Sequence, residues 1–431
     1  MMSWAIGILF IVLIFSGIPM LFALGVTAAV FMAISGAPLN TIPQRMVGGL
    51  NSFPIMAIPL FILAGQIMER GGIAKRLVDF AQALVGWITG SLLLVAILAG
   101  TGFAAVSGSG SASTAAISSI MLPGMRKRGY DIDFAAVMMA ATGVMGPIIP
   151  PSIMMIVLAT CSSVPISVED LFMGGVIPGL IMSAGLMIYS WFVAKKGGAA
   201  YREDEPFTLA RLIKSAVIAT PALCMPVIIV GGIVGGLCTP TEAAALAVFA
   251  GLIISIFIYR ELSFKELPTI IIRSTGISAS VMMIIATAGV FSWLIASNHI
   301  PEVLAQALIG FSDSPIVFLL MINVMLLIIG MFMESNSAIL ILIPVLMPVA
   351  VNHFGLDPVH LGVVIVANLC VGMLTPPYGI CLFVAANVSG RNISQLIGKV
   401  WWPITILVGC LLLITYVPSL VTWLPGMIRG G

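Results

Sequence analysis

The chain is short of charge. Only 8% of its 431 residues are Asp, Glu, Lys or Arg, against 60% hydrophobic. So few charges cannot cover a soluble domain of this size. The longest polar interval, roughly Lys195 to Lys214, is too short to fold alone. The six cysteines (Cys161, Cys224, Cys238, Cys370, Cys381, Cys410) all fall in apolar segments and form no CxxC. That argues against disulfide or metal-thiolate roles and for small core residues. There are three histidines, and no Gly-x-x-x-x-Gly-Lys-Ser/Thr run to cradle a nucleotide. What is abundant is apolar sequence in runs near twenty residues, each long enough to cross a bilayer. The chain reads as an all-α polytopic membrane protein. The N-terminal run lacks a basic flank and a small-residue cleavage site, so it reads as the first membrane helix.

Helices are expected near 3–17, 20–35 and 52–69, with an amphipathic piece near 73–86. A long apolar stretch covers 88–123, followed by helices near 134–162, 170–194, 215–238, 241–259 and 270–297. A second amphipathic piece lies near 301–312 and a second long stretch at 315–350. Helices near 358–388 and 401–425 complete the chain. If both long stretches are re-entrant hairpins, Arg70, Lys75, Arg76, Arg126, Lys127, Arg128, Lys195, Lys196, Arg202, Arg211, Lys214, Arg260, Lys265, Arg273, Arg391 and Lys399 share one face, and the other keeps Arg45 and Arg429. By the positive-inside rule the crowded face is cytoplasmic and both termini lie outside. One hairpin then opens to the cytoplasm and the other to the outside, as an inverted repeat requires.

A repeat supports this independently. Asp131, Gly146 and Pro150-Pro151 recur with identical spacing as Asp357, Gly372 and Pro376-Pro377. Proline has no N–H, so Pro147, Pro150, Pro376 and Pro377 are expected to free the carbonyls of Gly143, Gly146, Gly372 and Met373. Free carbonyls at membrane depth suit a hard cation such as sodium. The alternative is a proline kink mended by water or hydroxyls; matched breaks in matched halves favour the ion. The hairpin tips carry Ser107-Gly108-Ser109-Gly110-Ser111-Ala112-Ser113-Thr114 and Glu334-Ser335-Asn336-Ser337. Small residues also serve close helix packing, but Ser-Gly-Ser-Gly disfavours a helix interior. A helix starting after each tip would offer N–H groups to a carboxylate. Glu334 is costly to bury alone and is a candidate for tuning the ion site or the tip. Glu242 reads as a helix cap. His299, His353 and His360 read as outer loop edges.

These motifs resemble a family. The first tip, GPIIPPS at 146–152, CTPTEAAA at 238–245, GMFMESNSA at 330–338 and GMLTPPYG at 372–379 are similar to the large membrane subunit of tripartite ATP-independent periplasmic (TRAP) transporters, over nearly the full length. The resemblance implies an inverted-repeat elevator-type secondary transporter with two opposed hairpins and two broken helices. It places scaffold and first arm at 1–87, the first hairpin and broken helix at 88–165, and scaffold, cytoplasmic loop and second arm at 166–314. The second hairpin and broken helix take 315–390, and a C-terminal scaffold helix 391–431. Two sodium sites are implied, drawn from Ser107, Gly108, Ser109, Gly143, Val144, Gly146 and Pro147, and from Gly330, Glu334, Ser335, Asn336, Gly372, Met373 and Thr375. The substrate would lie between them on Ser109, Ser111, Ser113, Pro150, Ser335, Asn336 and Pro376.

The implied partners are a small four-helix membrane subunit, a soluble periplasmic substrate-binding protein and an organic acid, sialic acid before C4-dicarboxylate, in a bacterial inner membrane; no nucleic acid is expected. Without an ATP motif, energy would come from a gradient. Three other readings stand beside this one: a stand-alone cation-coupled carrier, a channel, and an intramembrane hydrolase using Ser109. The last needs a histidine within reach of that serine.

Overall fold

The computed structural model describes residues 2–197, 201, 206–298 and 314–429. Regular structure among them is helical throughout. In chain order the helices are α1 (Met2–Phe15), α2 (Met20–Ile34), α3 (Thr41–Leu50), α4 (Ala57–Arg70), α5 (Ile73–Val85), α6 (Ser91–Ser107), α7 (Gly110–Lys127), α8 (Ile132–Gly143), α9 (Ile153–Cys161) and α10 (Val168–Lys196). There follow α11 (Leu209–Val234), α12 (Pro240–Leu252), α13 (Leu267–Ser297), α14 (Pro315–Phe332), α15 (Ser335–Asn352), α16 (Pro358–Gly372), α17 (Ile380–Ser389), α18 (Ile393–Tyr416) and α19 (Ser419–Arg429). Eight helical segments among the described residues are long and apolar enough to span a membrane.

Both long apolar stretches fold back on themselves. α6 stops at Gly108, whose φ of 61° only glycine adopts cheaply. Ser109 then turns extended and caps α7. The second hairpin breaks at Met333 and Glu334, both extended, and Glu334 caps α15. The helix expected over 134–162 is α8 and α9 with the break at 144–152. That expected over 358–388 is α16 and α17. Asp131 caps α8 and Asp357 caps α16, so the repeat read in sequence is a repeat in structure.

Sequence reasoning missed α3, an amphipathic helix with no buried residue. It also joined the C-terminal pair: Val417 precedes Pro418, whose ring pushes it out of helical space (φ −121°, ψ 78°), so the segment at 401–425 is two helices. The amphipathic piece at 301–312, His299 and Arg202 lie outside the described residues.

Helix α18 shows that the hairpins are opposed. Near its start Arg391 pairs with Asp133 at 3.1 Å and Lys399 with Asp131 at 3.2 Å, beside the open end of the first hairpin. At its far end the hydroxyl of Tyr416 donates to the carbonyl of Ile316, at the open end of the second. Twenty-four residues separate these ends, about 36 Å of helix, roughly a bilayer.

The helices sort into two groups by packing. α2, α3, α4, α12 and α13 pack on one another, with α11 joined to α12. The hairpins and broken helices pack together, and α10, α18 and α19 pack with them, on α6, α8 and α16. The segments expected as scaffold at 166–314 and 391–431 thus contribute α10, α18 and α19 to the packing around the hairpins. The halves also interlock: α9 lies against α15 of the second hairpin, and α17 against α7 of the first.

Candidate functional site

Both tips reach the helix breaks, and glycines let them in. A Cβ on Gly146 would sit 2.6 Å from the carbonyl of Ser109, and one on Gly108 would meet the carbonyl oxygen of Pro151 at 2.5 Å. At Gly110 the added atom would meet the carbonyl oxygen of Gly143 at 3.2 Å. In the second half a Cβ on Gly372 would lie 2.6 Å from Cα of Gly330. Real Cβ atoms do not come within 3.0 Å of backbone, so Gly108, Gly146 and Gly372 are required by this packing, while Gly110 is a tight fit. The structure thus brings Gly108, Ser109 and Gly110 to Pro151, Gly146 and Gly143, and Gly330 to Gly372, with Ser335 on the carbonyl of Leu369 just before it. Val144 is buried in the first break, and Thr375 lies in the second.

The carbonyls are not bare in the way expected. In both halves the amide one residue before the proline takes the bond that proline cannot. The N–H of Gly146 donates to Gly143 (2.9 Å), ahead of Pro147. The N–H of Thr375 donates to Gly372 (2.9 Å), ahead of Pro376. These are tight i to i+3 turns. The carbonyl of Met373 accepts from the amide of Cys381 (3.0 Å). Pro150 lies beyond the end of α8 at Gly143, so no helix remains there for it to break. Each of these oxygens keeps a second lone pair.

The tip side chains divide. Ser113 is buried and shares a 2.7 Å hydrogen bond with Ser107. Ser109 accepts weakly from the amide of Ala112 (3.5 Å) and faces Ser111 (3.4 Å). Glu334 is exposed rather than buried; its carboxylate accepts from the amide and hydroxyl of Ser337 and, at 2.7 Å, from Nδ2 of Asn336. The opposite atom of that amide, Oδ1 of Asn336, is buried and has no partner among the described residues. The hydroxyl of Ser335 donates to the carbonyl of Leu369.

A cavity of about 720 Å3 lies between the tips, within the range of small-molecule sites. Ser109, Ser111, Ser335, Asn336, Pro147 and Met373 line it. Ser113, Pro150 and Pro376, expected to touch substrate, are not on its wall. The far wall was not foreseen: Gln66 and Glu69 of α4, and Arg273, Ile277 and Ser280 of α13. An acid in an apolar helix was the available signal for Glu69. Gly65 brings α4 against the first tip, where an added Cβ would stand 3.4 Å from the carbonyl oxygen of Ser107.

The histidines stand elsewhere. His360 is buried, not at an open loop edge, and its ring lies 3.2 Å from the carbonyl of Ile414. His353 caps the end of α15. Both are at the far end of α18 from the ion pairs of the first hairpin, and Ser109 has serine and backbone neighbours rather than a base.

The sequence profile of a family described as the DctM component of the tripartite ATP-independent periplasmic transporter matches residues 7–420. The chain is 42% identical to the isethionate TRAP transporter permease DctMQ of Oleidesulfovibrio alaskensis over 95% of its own length, and spans 64% of that relative. It is 38% identical to the C4-dicarboxylate TRAP large permease DctM of Rhodobacter capsulatus, covering 97% of this chain and 98% of that one. To the sialic acid TRAP large permease SiaM of Vibrio cholerae it is 36% identical over 97% of each. Its fold is similar to that of the YdaH transporter of Alcanivorax borkumensis, with a TM-score of 0.60 at 14% identity over 88% of this chain and 89% of that.

Proposed function

The chain belongs to the family of the DctM component of tripartite ATP-independent periplasmic transporters, and from that premise we propose that it carries an organic acid into the cell together with sodium. Its relatives are permeases, and the chain is not an enzyme. Its fold is of the elevator type. The observation that carries the reading is the cavity between two oxygen-rich tips, closed on its far side by α4 and α13.

Sodium is the co-transported ion in this reading. Its donors would be hard oxygens, which suit it. In the first half these are the carbonyls about Ser107–Gly110 and Gly143–Gly146. In the second they are Ser335, the unpartnered Oδ1 of Asn336 and the carbonyls about Gly372–Thr375. The carboxylate of Glu334, already held by three donors, shapes the tip. Two sites facing one cavity let sodium and substrate favour the same occupied state, so each raises the other's affinity.

The moving body in this reading is the hairpins and broken helices together with α10, α18 and α19, which pack on them; α2, α3, α4, α12 and α13 stay still. The cavity reaches Glu69, which adjoins Arg70 on the face that the charge count makes cytoplasmic, so this conformation opens inward. The named relatives serve a sulfonate, dicarboxylates and sialic acid, all anions. An organic anion is therefore the substrate class, with sialic acid and C4-dicarboxylates as the narrower readings. A small membrane subunit and a periplasmic binding protein complete the system.

Uptake into proteoliposomes tests this. The vesicles hold the chain and its small subunit, with the cognate binding protein outside and labelled succinate, isethionate and N-acetylneuraminate. Uptake is expected to need both an inward sodium gradient and the binding protein. Indifference to sodium would point to a proton-coupled carrier, and passage without any gradient to a channel.

A further inference from the structure

Three charged side chains line the cavity among the described residues: Glu69, Glu334 and Arg273. Two are carboxylates, so an anion entering meets repulsion unless something offsets it. Glu334 is occupied in capping α15. Glu69 accepts from Nε2 of Gln66 at 3.1 Å and lies within the fields of Arg273 and Arg70. The guanidinium of Arg273 hydrogen-bonds to no described residue and forms no ion pair with a described carboxylate. It is also exposed, on α13. An uncommitted guanidinium presents five donors in a planar fork that fits a carboxylate or sulfonate.

Resting on the reading above, we propose that Arg273 is the anion-recognition residue of the release side: it receives the anionic group of the substrate from the tips, with Glu69 as the neighbouring carboxylate that competes for it. The position gives the residue a direction. Gln66, Glu69 and Arg273 sit on helices that pack with the still group, while the tips belong to the other. Arg273 lies in the second turn of α13, on the face that carries the positive charges. It therefore meets the substrate only when the tips stand beside α4 and α13, as here. An anion bound from the opposite side of the membrane would not touch it.

The test measures exchange from each side separately. Proteoliposomes with the chain and its small subunit, with sodium on both sides and the cognate binding protein outside, are loaded with unlabelled succinate, isethionate or N-acetylneuraminate, and the half-saturating concentration is found for the internal and the external acid. Arg273→Gln is expected to raise the internal value about tenfold, the effect of removing one charge-assisted hydrogen bond, and to leave the external value unchanged. Arg273→Lys keeps the charge without the planar fork, so it is expected to raise the internal value by less than Arg273→Gln does while leaving the external value unchanged. Glu69→Gln should lower the internal value, because a competing carboxylate is removed. Equal shifts on both sides, or Arg273→Gln behaving like wild type while wild type exchanges acid, would overturn the assignment and leave the transport reading intact. Wild type moving none of the three acids in either direction would remove the premise and this inference with it.

Discussion

At the residue scale, the second of the two proposed sodium sites would depend on a pair of glycines and one amide. An Ala at Gly372 puts a methyl 2.6 Å from the backbone of Gly330, where no side chain can swing away. Gly372→Ala is expected to raise the sodium concentration for half-maximal uptake at least about tenfold, the change that follows when one strong oxygen ligand is displaced. Cys410→Ala, whose thiol lies by the carbonyl of Ile181 far from either tip, should leave it unchanged. Asn336→Ala should act like Gly372→Ala while the amide of Ser337 continues to cap onto Glu334. Equal responses at Gly372 and Cys410 would sink the site. These residues were legible because Ser, Gly, Asn and Glu are out of place in apolar sequence. Gln66 and Arg273 were not, because they become a wall only when α4 and α13 come alongside the tips, and sequence spacing carries no trace of that. Ser113 misled for a related reason: local sequence cannot say that its hydroxyl turns inward to Ser107.

At the element scale, caps and buried polar contacts hold the broken helices. Burial alone raises the pKa of Asp131, but the amides of Phe134 and Asp133 and the ammonium of Lys399 outweigh it and hold the carboxyl below the ordinary 3.8. A depressed folded value means the charge stabilises at neutral pH, and that contribution is lost as pH falls below the ordinary value. Asp131→Asn keeps a good cap and removes the charge. It should lower Tm at pH 7, with the gap to wild type closing as the pH falls below the ordinary carboxylate range and through the depressed value; a constant gap would rule the charge out. Between α14, α16 and α18, the buried Asn323 accepts from Nδ2 of Asn368 and donates to Thr415 at 3.2 Å. Asn323→Ala should cost about 1–2 kcal/mol, read from denaturant or thermal unfolding. Helix positions were readable from apolar runs, and breaks from glycine and proline. The split at Val417 was not, because a proline between two apolar helices looks in sequence like one inside a continuous helix, as Pro403 of α18 is.

At the scale of the whole molecule, the charge bias and the duplicated motif agree on opposed hairpins, and α18 shows them. The grouping of helices was less legible: α10 and α18 are apolar all round in sequence, and only packing shows which neighbours they keep. If α4 meets the first tip as here, cysteines at Gly65 and Ser107 in a background without the six native ones should cross-link with mercuric ion and lose maleimide labelling. Continued labelling would mean that the tip does not rest on α4.

The interlocking of the halves bears on how the chain is made. Translation delivers α6 and α7 into the membrane well before α17, the helix that α7 leans on, has been synthesised. Until then the Ser-Gly tip has hydroxyls and amides in lipid with only half of its cradle. The first half must therefore wait, loosely assembled or sheltered by insertion machinery, and both proposed ion sites would mature together near the end of synthesis. A nascent chain stalled after α13 would be membrane-integrated yet would lack half of the packing that closes the cavity between the tips. The same chain supplied with the missing half as a second polypeptide would have every surface needed to complete it.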